Sequence, residues 1–348
     1  MGRYPTTNPY PYRSSAGMRE RVLTALGVLK IATADQITAL MWPNAASNKP
    51  ARLALLDLET HHLTTPEGSS RRPWVDGLGE GAGLRAQRKK LWRLTPMGLI
   101  AARGVLPTGT PMGATRAGGR IAGTARGVGQ SGAPHAMLVN EIVVAFARGA
   151  AYGEPGGIAQ VTDWLTEVPH PIAARESVIA DGVLRAPHAG LPVLMVEADR
   201  NTMPPARIAE KITRYRTYFR QRVRTPGARH EVPLWHLTYP GGTGREGYPP
   251  VAFVFAGAGP RGLHQRMAAV EELSRSCWAG HRQAAWSDDS LSHTNYQDTV
   301  PVVATTLALL AEHGPLGPAW RRFGRTRWES LPDALHNPGT NAPTPTSG

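Results

Sequence analysis

Cysteine is almost missing from this chain: 348 residues contain one, Cys277. A disulfide framework and a cysteine-rich zinc site are therefore excluded, and a reducing, cytoplasmic setting is expected. Long apolar runs are missing as well. None approaches the roughly 20 residues that cross a bilayer. The opening M-G-R-Y-P-T-T-N-P-Y lacks the apolar centre of a secretory signal, so no membrane insertion is expected. Acidic residues are scarce, 26 Asp and Glu against 39 Lys and Arg, which leaves a net charge of +13. That excess points to a polyanionic partner, nucleic acid ahead of an anionic membrane surface. No Gly-Lys-Ser or Gly-Lys-Thr occurs, which argues against a P-loop ATPase or helicase.

What is present suggests two domains. The hydrophobic share of 41% supports a real core, while 38 Gly and 31 Pro imply long loops and tails. Residues 1–13 read as a loose N-terminus. Val22, Leu23, Leu26 and Leu29 recur at helical spacing. Thr33 can cap a second helix, Ala34 to Met41, ended by Trp42-Pro43. Asn48 can start a third through Ala51, Leu55, Leu58 and His62. The loop P-E-G-S-S-R-R-P-W follows, then the basic strand K-K-L-W-R-L and a helix opened by Thr95-Pro96.

Three helices and two strands around a Gly-rich, Arg-bearing loop is the order of a winged helix-turn-helix, here residues 14–103. In such a module the third helix enters the major groove and the wing meets the backbone. Asn48, Lys49 and Arg52 stand at the front of the recognition helix, and Arg71, Arg72, Arg88, Lys89 and Lys90 line the wing. Winged helices also bind protein and dimerise, so a homodimer stays open. Residues 104–133, rich in Gly and Ala and without an acid, read as a linker.

A second domain is expected over 134–330, with a disordered tail from about 331. Its first helix carries Leu138, Ile142, Ala145 and Phe146 on one face, with Glu141 beside it. A strand from Gln160 to Val168 holds Trp164 as core and Glu167. The stretch from Ile179 to Tyr218 then organises the domain. Two short apolar runs deliver Asp181 and then Glu197 with Asp199, joined by a turn that suggests a hairpin. The helix that follows carries Ile208, Ile212, Tyr215 and Phe219 on an apolar face and Arg207, Lys211, Arg214 and Tyr218 on a neighbouring stripe. Later strands and helices complete an α/β (α+β) fold with a mixed sheet.

Carboxylates at the ends of adjacent strands, with a cation nearby, are what metal-dependent phosphodiester hydrolysis requires. Mg²⁺ takes oxygen ligands, often one or two carboxylates. Asp181 and Glu197 are the expected ligands, Glu141 completes the shell, and Asp199 shares the Glu197 face by strand alternation. Lys211 can stabilise charge on the phosphate or the attacking hydroxide, and Arg207 and Arg214 can hold DNA. The bland readings are an Asp-Gly turn at Asp181, a strand end with a local ion pair at Glu197, Asp199 and Arg200, and a solvated basic helix at Lys211. His135 and His170 read as capping or packing residues. Tyr215 and Tyr218 invite comparison with tyrosine relaxases, but these need a His-x-His metal motif and the chain has none.

The order helix–strand–strand–strand–helix with these acids resembles the PD-(D/E)XK nuclease fold. Asp181 matches its Asp and Glu197 its Glu. Asp199 stands where the lysine usually is, and Lys211 is positioned for the variant in which lysine moves to the next helix. A wider resemblance is to the replication-relaxation family of actinobacterial plasmids and integrative elements. It rests on L-W-R-L-T-P-M-G, P-H-A-M-L-V-N-E, W-L-T-E, A-D-G-V-L, V-E-A-D-R-N-T, A-E-K-I-T-R-Y and V-A-T-T-L-A-L-L-A-E-H-G-P-L-G-P-A-W. The resemblance implies a DNA-associated role in plasmid replication, nicking or conjugative transfer, with DNA and other replication or transfer proteins as partners. Three functions follow: a Mg²⁺-dependent nickase or endonuclease, a non-catalytic initiator built on a degenerate nuclease fold, and a winged-helix transcriptional regulator.

Overall fold

The computed structural model describes residues 8–70, 89–107, 115–116, 120–121, 132–150, 156–227, 229–239, 245–282 and 294–338. Fold and helix content agree with a mixed α/β chain. Among the described residues, no helix is long and apolar enough to cross a membrane. The chain divides into two compact units. The first holds the described residues up to 144 together with 160–165, and the second holds 145–159 and those from 166 on.

In the first unit, α1 (Ala16–Leu29) starts where the Ser15 side chain accepts from Met18 N. It buries Val22, Leu23, Ala25, Leu26 and Leu29. The short β1 (Ile31–Thr33) leads into α2 (Ala34–Met41). Thr33 caps α2 as its sequence suggests, in a full capping box with Gln36, which satisfies two otherwise orphaned amides. Asn48 precedes α3 (Lys49–Thr60) but does not cap it. Its amide donates to Asp35 Oδ1 at 2.5 Å instead. Strand β2 (Thr64–Ser70) and strand β3 (Lys89–Leu94) pair antiparallel, and β1 adds to the other edge of β3. Helix α4 (Pro96–Val105) is capped by Thr95. Its first turn lies so close to the end of α3 that a Cβ on Gly98 would sit 1.8 Å from the Leu63 carbonyl oxygen.

The N-terminal segment is fastened rather than loose from residue 12. Asp57 of α3 is fully buried and accepts from Tyr12 N at 2.9 Å, Ser14 N at 2.8 Å and the Ser14 hydroxyl. Burial alone would raise its carboxyl, but these bonds and the charge of Arg19 hold it below the usual range. Nothing in the spacing of local residues signals this contact, because it spans more than 40 positions. Helix α5 (Ala133–Arg148) is divided by the unit boundary. In the first unit its Asn140 donates to the Ile31 carbonyl at 2.7 Å and to Gln36 Oε1 at 3.2 Å.

The second unit is built on a six-stranded sheet. Its strands are β4 (Trp164–Ala173), β5 (Glu176–Ala186), β6 (Leu191–Asp199), β7 (Val251–Phe255), β8 (Val302–Thr306) and β9 (Arg321–Arg322), in that spatial order. Trp164, at the start of β4, belongs to the first unit and is fully buried, as core. Strands β5 and β6 form the expected antiparallel hairpin, turned by Pro187–Ala189 and by Gly190 in the left-handed region at φ +70°. Strands β6, β7 and β8 run parallel, and β9 returns antiparallel. The parallel strands are buried along their lengths, which explains their nearly unbroken apolar runs. Helix α6 (Pro205–Arg220) packs on α7 (Pro260–Leu273), and α8 (Leu307–His313) starts at a Thr306 cap.

The tail does not begin at 331. A short helix, Leu331–Ala334, buries Leu331, Ala334 and Leu335, and residues to 338 are described. Apolar residues at i, i+3 and i+4 between prolines carry that packing.

Candidate functional site

Residue pairing brings the acids together. In the β5–β6 ladder, Gly182 faces Val196 and Val183 faces Met195. Asp181 and Glu197 each lie one position further along, opposite one another, so their side chains share a face of the sheet. Asp181 is fixed by its Oδ2, which accepts from Ala198 N at 2.9 Å. Glu197 also neighbours Phe253 of β7 and is 3% exposed. A carboxylate at that depth needs partners, and α6 supplies two of them from consecutive turns. Lys211 Nζ donates to Glu197 Oε2, and the Tyr215 hydroxyl donates to Glu197 Oε1. Lys211 Nζ also lies 3.8 Å from Asp181 Oδ1.

Electrostatics follow from burial. Desolvation pushes the Glu197 carboxyl up to about 8; Lys211 and Tyr215 pull it back, and the neighbouring Asp181 adds to the rise. Desolvation works against the Lys211 ammonium too, but the Glu197 and Asp181 carboxylates outweigh it and raise its pKa, so Lys211 stays charged. Burial first, then Glu197, raises Tyr215 well above the usual phenol range and keeps it a donor. A carboxyl that holds its proton more tightly when folded makes the native state bind more protons than the unfolded chain. Stability from Glu197 is therefore fully present below the ordinary carboxylate range and is lost as pH rises toward 8. Urea unfolding at pH 5.5 and 8.5 tests this. Relative to Glu197→Gln, the wild type is expected to lose stability across that interval; parallel behaviour of the two proteins would contradict it.

Asp199 goes elsewhere. It lies on the same strand face as Glu197 but is gripped by Arg266 of α7, with Nε on Oδ2 and Nη2 on Oδ1 at 3.0 Å. Glu141 belongs to the first unit, where its Oε1 accepts from Gln36 Nε2 at 3.0 Å. Among the described residues, no group of three or more His, Cys, Asp and Glu side chains assembles as a metal shell. Arg207 pairs with Glu210 at 2.9 Å on the surface. Arg214 pairs with Glu176 at 3.3 Å and donates to the Ser177 carbonyl. His170 is packed, as its sequence setting suggests. Burial lowers its imidazole to about 4, its Nε2 lies 2.6 Å from the Tyr239 hydroxyl, and its ring lies 4.8 Å from that of Tyr218.

Two partners of these acids, Tyr215 and Arg266, are not marked by sequence pattern alone. Tyr215 falls on the apolar face of α6, yet Lys211 and Tyr215 stand four apart and so point the same way. That spacing was the available signal. Arg266 lies 67 positions from Asp199, and nothing local announces it.

In the first unit, Lys49 and Arg52 are exposed at the front of α3. A cavity of about 430 Å³ opens beside them, lined in part by Asn48, Arg52, Leu56, Lys89, Lys90 and Trp92. Lys89 pairs with Asp35 at 3.0 Å, and the Lys90 ammonium lies 4.0 Å from the Trp92 ring centroid. Arg71, Arg72 and Arg88 lie outside the described residues.

Residues 23–232 match the sequence model of a family described as replication-relaxation, which covers more than half of the chain. The chain belongs to the replication-relaxation family. Membership ties it to replication or relaxation, and the matched span includes Asp181, Glu197, Lys211 and Tyr215 but not Arg266. Searches of curated proteins and of solved structures each found no match.

Proposed function

We propose that this replication-relaxation protein binds duplex DNA through its first unit and nicks a DNA strand at the Asp181–Glu197–Lys211 cluster with Mg²⁺. The observation that carries the reading is the Lys211 ammonium, held on Glu197 and 3.8 Å from Asp181. It brings a cation and two carboxylates from three elements to one point. The element order α5–β4–β5–β6–α6–β7, with an antiparallel hairpin followed by a parallel strand, agrees with a PD-(D/E)XK-like core.

The donor set suits the metal. Asp181 and Glu197 offer hard carboxylate oxygens, and the Asp181 and Lys211 side chains are 15% and 24% exposed, so the cluster opens to solvent. Those two acids would hold the ion, which when bound supplies an activated water and neutralises charge on the phosphate. Lys211 offers its ammonium to the anionic phosphoryl oxygens. Tyr215 fixes the orientation of Glu197. Glu197 gives up the proton that burial holds on it before it can serve as a ligand.

Supercoiled plasmid incubated with wild type in Mg²⁺ is expected to accumulate the nicked form, and Asp181→Ala or chelation to stop it. Equal activity of both proteins would sink the assignment. The second reading is a replication or transfer initiator that binds DNA without cutting. It is favoured by the engagement of Asp199 with Arg266 and by the lack of a third acid at the cluster among the described residues. Wild type that binds but never nicks would establish it.

DNA contact through α3 rests on Lys49 and Arg52, with Lys90 alongside. Neutralising phosphates releases counterions, so affinity is expected to fall steeply with salt. Lys49→Ala should make the slope of log K against log salt shallower by about 1. An unchanged slope would remove Lys49 from the interface.

A further inference from the structure

The cavity beside α3 is more than a backbone contact on a duplex needs. Phosphate contacts position a protein on DNA from an open surface. Here the start of α2, the front of α3 and strand β3 surround a space of about 430 Å³. That lies within the roughly 300–1,000 Å³ that small-ligand sites occupy, and it far exceeds the room that a single phosphate group fills.

Its walls have two characters. Ala34, Leu56 and Trp92 give an apolar side, and Arg52, Lys89 and Lys90 give a cationic one. The two sides meet at Lys90, whose ammonium lies 4.0 Å from the Trp92 ring centroid and is attracted by the ring. Ion pairs do not use up this charge. Lys89 meets Asp35 at 3.0 Å with both side chains 38% exposed, and Lys90 meets Glu59 at 4.0 Å with the two 49% and 36% exposed. Pairs that open to water are worth little, so either lysine can turn to a bound anion at small cost. Asp35 also lines the cavity. Its Oδ1 accepts from the Asn48 amide at 2.5 Å, which holds a carboxylate acceptor in place beside the cations.

We propose that this cavity binds one nucleotide unit, base and phosphate together. An inorganic anion would leave the apolar side unmet, and an apolar molecule would leave the cations unmet. A base sets a flat apolar face against Leu56 and Trp92 and offers an exocyclic amino group to Asp35. Its phosphate meets Arg52 and the lysines. An unstacked nucleotide of a DNA strand and a free mononucleotide share this chemistry. In its DNA form the proposal rests on the reading that the first unit binds DNA, and it names a form of DNA that this unit prefers. It is independent of the nicking reaction.

The test uses the full chain without Mg²⁺. Fluorescence anisotropy compares a labelled duplex with the same duplex carrying one extra, unpaired adenosine, and calorimetry compares deoxyadenosine monophosphate with inorganic phosphate. Wild type is expected to bind the duplex with the unpaired base roughly tenfold tighter than the paired one. Leu56→Phe fills the cavity without changing its charge, so it is expected to erase that preference and keep affinity for the paired duplex. Leu56→Ala leaves the cavity open and is expected to keep both; a damaged fold would instead weaken the paired duplex as well. Binding of the mononucleotide that is lost in Leu56→Phe, with no preference for the unpaired base, would assign the cavity to a free nucleotide. A wild type that does not bind the paired duplex would sink the DNA reading of the first unit, and the mononucleotide titration would still decide the cavity. Equal affinity for phosphate and the mononucleotide, a preference unchanged in Leu56→Phe, or neither response in wild type would overturn the proposal.

Discussion

Lys211→Met is expected to lower the rate of Mg²⁺-dependent plasmid nicking by about 10²–10³-fold while DNA affinity stays close to that of wild type. At position 199 a PD-(D/E)XK-like site would present lysine from the strand itself. Here the strand presents aspartate, and α6 delivers the ammonium instead. The substitution is unlike most deletions of a buried ion partner. Glu197 already leans toward its protonated form, raised to about 8 by burial, and Tyr215 still bonds its Oε1. Without Lys211 it takes up a proton instead of remaining as a stranded anion, so the fold should survive and the loss should be one of rate. The same proton gives a second readout. In wild type, activity is expected to climb as pH rises toward 8, because the acid that would hold the metal must first be emptied. In Lys211→Met the climb should move to higher pH, since the ammonium that favoured the carboxylate is gone. A profile that is flat from pH 6 to 9 in wild type would separate Glu197 from the reaction, and a methionine variant as fast as wild type would remove Lys211.

Much of this arrangement could be read from the chain because its causes are local. Short apolar runs carrying acids, Asp181 within β5 and Glu197 with Asp199 at the end of β6, marked the two strands, and a short turn between them implied antiparallel pairing. That pairing sets Asp181 opposite Glu197. The basic stripe on the helix after β6 held Lys211, which the fold brings to the pair, and Thr33 announced the start of α2. The contacts that the sequence does not announce share a different cause. Asn48 bonds Asp35 where its position suggested a cap, Arg266 bonds Asp199, and Asp57 holds Tyr12 and Ser14. Each partner lies at a distance in sequence that only the folded chain brings near. Periodicity reports which face a residue occupies; it does not report which of several polar neighbours on that face will take its hydrogen bond.

Arg266→Met is expected to cost about 3–5 kcal/mol of stability, the range for removing one member of a buried ion pair, read as a lower urea midpoint with little change in slope. The Arg266 and Asp199 side chains are 9% and 4% exposed, so water cannot replace the lost donors. The guanidinium also donates to the Met203 carbonyl, just before α6 begins, so its removal loosens the entry to the helix that carries Lys211 and Tyr215. A double-mutant cycle sharpens the test. If Asp199 serves Arg266, then Asp199→Asn and Arg266→Met should each destabilise, and the double variant should lose less than their sum, with a coupling of about 1–3 kcal/mol. If Asp199 instead served a metal, Asp199→Asn would abolish nicking at little cost in stability and would show no coupling to Arg266. The first outcome fixes the division of labour along β6. Two carboxylates on one face of the strand, two positions apart, answer to different helices: Asp199 secures α7 and the approach to α6 through Arg266, and Glu197 keeps the partner that chemistry at this cluster needs. A variant as stable as wild type would mean that Asp199 does not depend on Arg266, and would return it to the candidates for the site.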